Sequence, residues 1–138
     1  FSQKSNRMDH VPLYISDNLK HKLRPYQLEA LSHLDTVRHM PAADKLYDQL
    51  MFYMATGSGK TDIMAAAILY LYHKWHYQCF LFTTHTTAVV AKTLDNFTNN
   101  SSSKYLFISI IISNITVFLY SNSLFKTASS PLSIPILA

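Results

Sequence analysis

The segment MATGSGKT at residues 54–61 constrains the fold of this chain more than any other stretch. It follows a short apolar run, LMFYM at 50–54, and leads into residues 61–76, which are rich in Ala, Leu and Ile and lack Gly and Pro. A buried strand, a glycine turn and a helix are therefore predicted in that order. Because glycine permits tight turns that aim backbone N–H groups at one point, the segment indicates a loop that holds an anion.

The residue types in this loop suit a triphosphate. The following helix presents its positive pole and free N–H groups. Lys60 would contact the β- and γ-phosphates, and the Thr61 hydroxyl would hold Mg²⁺. We therefore predict ATP and Mg²⁺ as cofactors, bound by Thr56, Gly57, Ser58, Gly59, Lys60 and Thr61. The alternative is a glycine turn followed by a surface lysine.

Helices and strands alternate along the first hundred residues. A helix is predicted over 23–39, where Pro25 suits the first turn and apolar residues recur at steps of three: Leu28, Leu31, Leu34 and Val37. A short helix is predicted over 41–49, a strand over 79–83, and a helix over 88–97, capped by Thr86 or Thr87. This order predicts an α/β fold with a parallel sheet and right-handed crossovers. Cys79, the one cysteine, is expected to be a buried thiol.

Charge disappears from the last quarter of the sequence. All eight acidic residues lie at or before Asp95, and residues 105–138 carry a single charge, Lys126. Three accounts remain open for this tail: one or two buried strands, a membrane-associated segment at 105–125, or a stretch that is not an evolved continuation. The start of the chain has no apolar signal core, so we expect a cytoplasmic protein without a membrane partner. The net charge of +4 is compatible with a polyanion partner.

Three segments together resemble a known family: LRPYQLEAL, FYMATGSGKTDIMAAAILYLY and FLFTTHTTAVVAKTLDNF. Over residues 8–107 the chain resembles the N-terminal motor lobe of superfamily 2 helicases and translocases, most of all the Res subunit of type III restriction enzymes. The resemblance implies a RecA-like parallel sheet with flanking helices, forming an incomplete P-loop NTPase lobe. Met54 stands where the common phosphate-loop pattern has Gly, which helicase-type loops accommodate.

The resemblance also implies roles for individual residues. Arg24, Tyr26 and Gln27 match the segment that contacts adenine, although Gln27 could be a plain exposed helix residue. The segment that touches the nucleic-acid backbone corresponds to Thr83 and to Thr84, Thr86, Thr87 and Lys92. Short donors before a helix N-terminus favour phosphate contacts that do not read sequence, whereas the alternative is a solvated Thr-rich loop. DNA and a modification or recognition subunit are the partners that the family implies.

The carboxylate pair that such motors use to hydrolyse ATP is not found, since no Asp or Glu follows Asp95. We divide the chain into a lead-in (1–22), a partial ATP-binding motor lobe (23–104) and the low-charge tail (105–138). We expect an ATP- and DNA-binding fragment that does not hydrolyse ATP at a useful rate by itself. The alternatives are a fragment of another superfamily 2 DNA or RNA helicase, and a membrane-tethered nucleotide-binding module.

Overall fold

The computed structural model describes residues 10–41, 50–99, 101, 106–107, 115–121 and 124–128. The helices are α1 (Leu13–Ser16), α2 (Pro25–His39), α3 (Lys60–Trp75) and α4 (Thr87–Thr98). The strands are β1 (Cys79–Thr83), β2 (Thr116–Ser121) and β3 (Leu124–Ala128), and they form one sheet in the order β1-β2-β3. Helices α1 and α2 pack on α3, and α4 packs on β2 and β3.

Helix α2 begins at Pro25, two residues after the predicted start, and ends at His39 as predicted. Pro25 occupies the first turn, and the backbone N–H of Arg24 donates to Gln27 Oε1 at 2.8 Å, which closes the N-terminus. The buried face differs from the predicted apolar stripe. Of the four predicted apolar positions only Leu31 is fully buried, and the same face also buries three polar residues: Gln27, Ser32 and Asp35. This face therefore meets its neighbours through hydrogen bonds as well as through packing.

Helix α3, which the Ala-rich sequence predicts as a helix, forms the centre of the core. Ala65, Ala66, Leu69 and Tyr70 are completely buried. They pack with residues from α1, α2, α4 and β2 in one cluster that includes Ile15, Leu31, Val90, Phe97 and Val117. The helix ends at His76, which adopts a left-handed φ of 58° at the C-cap. The core thus fixes α3 firmly, and with it the loop at its N-terminus.

The predicted strand at 50–54 is wrong. These residues form no strand, and Met51 and Tyr53 are 86% and 98% exposed. Strand formation requires a hydrogen-bonded neighbour. In the described part of the chain, β1 pairs with β2 and β2 with β3, so the sheet does not extend to this segment. The short helix predicted at 41–49 lies outside the described residues, except for Pro41.

Strand β1 and helix α4 are confirmed, but the sheet is not wholly parallel. β1 and β2 run parallel, whereas β2 and β3 are antiparallel. Side chains of β1 alternate, with Phe80 and Phe82 packed against the core and Leu81 68% exposed. The expectation of a buried thiol at Cys79 is therefore wrong, because Cys79 lies on the exposed face.

Two stretches of the tail belong to the sheet. β2 and β3 both lie within residues 105–138, as the first of the three accounts of this segment predicted. Ile115 and Val117 are buried in the core. Within the ranges that the structure describes, no helix has the length and apolar character needed to cross a membrane.

Candidate nucleotide-binding site

The loop before α3 is shaped for glycine. Gly57 and Gly59 adopt left-handed φ angles of 80° and 77°. A Cβ atom on Gly59 would overlap Gln27 Nε2 and would lie 2.9 Å from Asp62 Oδ2, whereas a Cβ atom on Gly57 would meet open space. Gly59 is therefore required both by its backbone angle and by its neighbours. The loop forms the close turn that a phosphate cradle needs.

The carbonyl oxygen of Ala55 closes the loop. It accepts hydrogen bonds from the backbone N–H of Ser58 at 3.3 Å, from Ser58 Oγ at 2.7 Å and from Lys60 Nζ at 2.9 Å. The Lys60 side chain thus folds back across the loop while remaining exposed. A phosphate oxygen is a stronger acceptor than a neutral carbonyl, so an entering phosphate would compete with Ala55 for this ammonium group.

Helix α3 offers its N-terminal N–H groups to the same region. Gly59 is the N-cap, Lys60 and Thr61 follow, and no side chain caps the helix. The first N–H groups of a helix have no intrahelical acceptor, and they carry the positive end of the helix dipole. Thr61 is half-buried at this terminus, and its hydroxyl oxygen is a suitable ligand for Mg²⁺. The described residues contain no cluster of three His, Cys, Asp or Glu side chains that could hold a metal without help from the nucleotide.

The first turn of α2 packs directly on this loop. Tyr26 Oη donates to the carbonyl oxygen of Ser58 at 2.9 Å. Gln27 Nε2 donates to the carbonyl oxygens of Ser58 and Gly59, each at 3.2 Å. Gln27 is 3% exposed, so it is not a plain surface residue of the helix. Arg24 is exposed beside it and donates to Tyr26 Oη at 3.3 Å. The structure therefore brings Arg24, Tyr26 and Gln27 together with the loop.

A cavity of about 490 Å³ opens beside the loop. Its volume lies within the usual range of small-molecule sites. One wall is the face of α2 that carries Tyr26 and His33, and the other is the extended segment before the loop, including Met51, Tyr53 and Ala55. The cavity is continuous with the loop because Ser58 also lines it.

The predicted nucleic-acid residues lie elsewhere, at the end of β1 and on α4. Thr84 and Thr86 are half-buried, and Thr87 and Lys92 are exposed. Thr86 is the N-cap of α4 but makes no side-chain capping bond, and its buried Oγ1 has no partner among the described residues. The N-terminus of α4 is therefore open to an acceptor. No hydrogen bond within the described ranges joins these four residues to the loop.

Two polar contacts were not predicted. His21 Nδ1 lies 3.2 Å from Asp62 Oδ1, which connects the lead-in segment to the first turn of α3. The second contact is a buried cluster around Asp35, which is 5% exposed. Asp35 Oδ1 accepts hydrogen bonds from Tyr70 Oη at 2.5 Å and from Lys74 Nζ at 2.9 Å. Neither pair has a sequence signature, because the partners are separated by 35 or more residues.

The cluster around Asp35 changes two pKa values. Burial alone would raise the pKa of Asp35, but hydrogen bonds from Tyr70 and Lys74, with the charges of Lys74 and His39, outweigh burial and lower it. Burial and the hydrogen bond to Asp35 raise the pKa of Tyr70 well above its usual value. Asp35 is therefore an ionised carboxylate and Tyr70 a neutral donor at neutral pH, which ties α2 to α3.

Comparison with known proteins identifies a family and a related protein that this chain resembles. The profile of the family described as "Type III restriction enzyme, res subunit" matches residues 20–128, a range that includes the loop, α2 to α4, β2 and β3. The chain is also 35% identical over 113 residues to the "Probable type III restriction-modification enzyme HindVIP Res subunit" of Haemophilus influenzae. That alignment covers 78% of this chain and 22% of the relative. No solved structure matches the chain.

Proposed function

This chain belongs to the family of type III restriction enzyme Res subunits, and on that premise we propose that residues 54–61 bind the phosphates of ATP as part of a helicase-type motor. The observation that carries the proposal is the loop geometry. Two left-handed glycines, an exposed lysine and an open helix N-terminus meet within six residues. Each of these features favours an anion, and together they suit a polyphosphate.

Mg²⁺ fits the same site, held by the Thr61 hydroxyl and by the phosphates themselves. Bound there, it would offset the charge of the β- and γ-phosphates. Arg24, Tyr26 and Gln27 are proposed to contact the base. Support for this part comes from their position, since Tyr26 and Gln27 bond directly to the loop carbonyls and Arg24 bonds to Tyr26. The residues that contact the base would then lie beside the loop that contacts the phosphates.

DNA is the proposed second ligand, held through its backbone by Thr84, Thr86, Thr87 and Lys92. The uncapped N-terminus of α4 supports this assignment, because its first backbone N–H groups can donate to a phosphate oxygen. Lys92 is exposed on the same helix and adds a cation. A modification subunit is the proposed protein partner of the whole assembly, in keeping with the name of the Haemophilus relative.

The proposal is tested by titrating the chain with a fluorescent ATP analogue in the presence of Mg²⁺, followed by displacement with ATP, ADP and AMP. Lys60→Ala should weaken binding tenfold or more, since a hydrogen bond to a charged group contributes about 1.5–3 kcal/mol. Lys92→Ala serves as the matched control, because it removes an exposed lysine on another helix. Equal affinities for the wild type and Lys60→Ala would refute the phosphate site.

The same two variants test the DNA assignment, with Lys92→Ala as the test and Lys60→Ala as the control. In anisotropy titrations with duplexes of unrelated sequence, Lys92→Ala should weaken binding to each duplex alike. It should also reduce the slope of log K against log salt concentration by about one, as the loss of one phosphate contact requires. An unchanged slope would exclude Lys92 from the DNA interface.

A further inference from the structure

The contact between His21 and Asp62 joins two parts of the chain that no motif or spacing connects. His21 Nδ1 lies 3.2 Å from Asp62 Oδ1, and the two side chains are 47% and 25% exposed. Asp62 immediately follows Thr61, in the first turn of α3. A residue of the lead-in segment therefore reaches the helix terminus that forms the proposed phosphate site.

The Asp62 carboxylate lies over the loop itself. Its Oδ2 atom is 2.9 Å from the position that a Cβ atom on Gly59 would take, and its backbone N–H donates to the Gly59 carbonyl at 3.0 Å. A carboxylate in the first turn of a helix is stabilised by the positive pole of the helix dipole. An incoming phosphate uses the same pole, so Asp62 and the phosphate compete for it and repel each other.

His21 is the group that holds this carboxylate. An ionised carboxylate only accepts hydrogen bonds, so His21 Nδ1 must carry the hydrogen that lies between the two residues. Gln27 also lies beside Gly59, but its amide nitrogen donates to the carbonyl oxygens of Ser58 and Gly59. Across the ranges that the structure describes, no other side chain donates to Asp62. The position of its charge relative to the loop therefore depends on His21.

We propose that His21 is a positioning residue for nucleotide binding: by holding Asp62, it limits the negative charge that faces the phosphate loop. This inference rests on the proposed ATP site and adds a specificity element to it. Because repulsion grows with the charge of the ligand, the His21–Asp62 pair affects ATP more than ADP, and ADP more than AMP.

Four variants of the whole chain test the inference: His21→Ala, His21→Asn, Asp62→Asn and the double variant His21→Ala/Asp62→Asn. Affinities for ATP, ADP and AMP with Mg²⁺ are measured by displacement of a fluorescent ATP analogue. His21→Ala should weaken ATP binding about three- to tenfold, because the carboxylate over the loop then lacks the hydrogen-bond donor that offsets its charge beside a polyanion in a water-exposed site. His21→Asn should restore the affinity, because its amide nitrogen can occupy the place of Nδ1.

The double variant separates positioning from general damage. Once Asp62→Asn has removed the charge, His21→Ala should have no further effect, so the double variant should bind ATP as Asp62→Asn does. His10→Ala, an exposed histidine of the same lead-in segment, is the matched control and should bind like the wild type. Thermal unfolding of each variant verifies that it is folded. In the nucleotide-free chain, Asp62→Asn should also shift the side-chain ¹⁵N resonance of His21, which reports the pairing itself.

The possible failures are distinguishable. If Lys60→Ala abolishes ATP binding but His21→Ala binds ATP like the wild type, the ATP site stands and the inference is overturned. The inference is also overturned if His21→Ala weakens the binding of AMP as much as that of ATP. The same holds if the effect of His21→Ala persists in the Asp62→Asn background. If the wild type shows no binding that depends on Lys60, the proposed function fails and the inference fails with it.

Discussion

Replacing Asp35 by Ala tests how α2 is tied to α3. Asp35 is buried, and it accepts hydrogen bonds from Tyr70 Oη and Lys74 Nζ. Its carboxylate also lies 3.4 Å from His39 Nδ1. The substitution removes the acceptor from a tyrosine that is fully buried and from a lysine that is 41% exposed. The loss of stability should therefore come mainly from the hydrogen bond that Tyr70 no longer makes.

The size of the stability loss can be estimated from how exposed each partner of Asp35 is. A hydrogen bond to a buried charge contributes about 1.5–3 kcal/mol, and an unsatisfied buried donor adds a comparable penalty. The contacts with Lys74 and His39 are half open to water and contribute about 0–1 kcal/mol each. Tyr70 Oη still accepts a hydrogen bond from Trp75 Nε1 at 3.1 Å, so its oxygen keeps one partner although its hydrogen loses its acceptor. We expect Asp35→Ala to lower the free energy of unfolding by about 2–4 kcal/mol.

Urea unfolding measures this loss, and an m-value equal to that of the wild type shows that the variant exposes the same surface on unfolding. Asp35→Asn is the matched control, because its amide oxygen can still accept from Tyr70, and it should cost about 1 kcal/mol. Tyr70→Phe removes the donor instead. Combined with Asp35→Ala, it should cost clearly less than the sum of the two single variants, since both remove the same bond. Additive losses, or a loss below about 0.5 kcal/mol for Asp35→Ala, would refute the buried bond.

Two further predictions concern the loop and the pH dependence of stability. Gly59→Ala should abolish nucleotide binding and destabilise the chain by about 1–3 kcal/mol, because it combines a positive φ with a clash against Gln27. Gly57→Ala is the milder control, because the space around Gly57 is open. Equal effects of the two substitutions would contradict this reasoning. The lowered pKa of Asp35 contributes stability above the unfolded value of about 3.9, and this stability is lost as the pH falls through the folded pKa. Acid unfolding followed by circular dichroism should therefore show that Asp35→Asn loses less stability than the wild type as the pH falls.

Local patterns in the sequence predicted most of the elements. The first turn of α2 at Pro25, the helix after the loop, strand β1 and the position of Thr86 at the N-cap of α4 are each encoded within a few neighbouring residues. The resemblance to the Res subunit of type III restriction enzymes, read from three segments, is confirmed by the family match. Tyr26 and Gln27 contact the loop, and their contact with adenine stays a prediction.

What the sequence could not predict depends on partners that are distant in the chain. The apolar run at 50–54 reads as a buried strand, yet only a neighbouring strand could make it one. Cys79 reads as a core thiol, but its burial depends on which face of β1 is covered. The burial of Asp35 has no local signature, because its partners Tyr70 and Lys74 lie on another helix. Spacing within a segment carries no information about such pairs.

The contacts of α2 with α3 imply a common direction for the two helices. Tyr26 in the first turn of α2 bonds to the loop at the start of α3, whereas Asp35 near its end bonds to Tyr70 and Lys74 near the end of α3. Both helices therefore begin at the loop, so that two positive poles lie at the same end.

The charges along the two helices follow this arrangement. The basic residues of the last turns lie at the opposite, negative poles: Arg38, His39, His73 and Lys74. The first turn of α2 has no acidic residue, and that of α3 has one, Asp62. An end that carries two positive poles and a lysine is suited to a polyanion, and the one carboxylate in those first turns is the group that would oppose it. Since His21 holds that carboxylate, the affinity of the loop for phosphate should depend on a residue outside the loop and outside both helices.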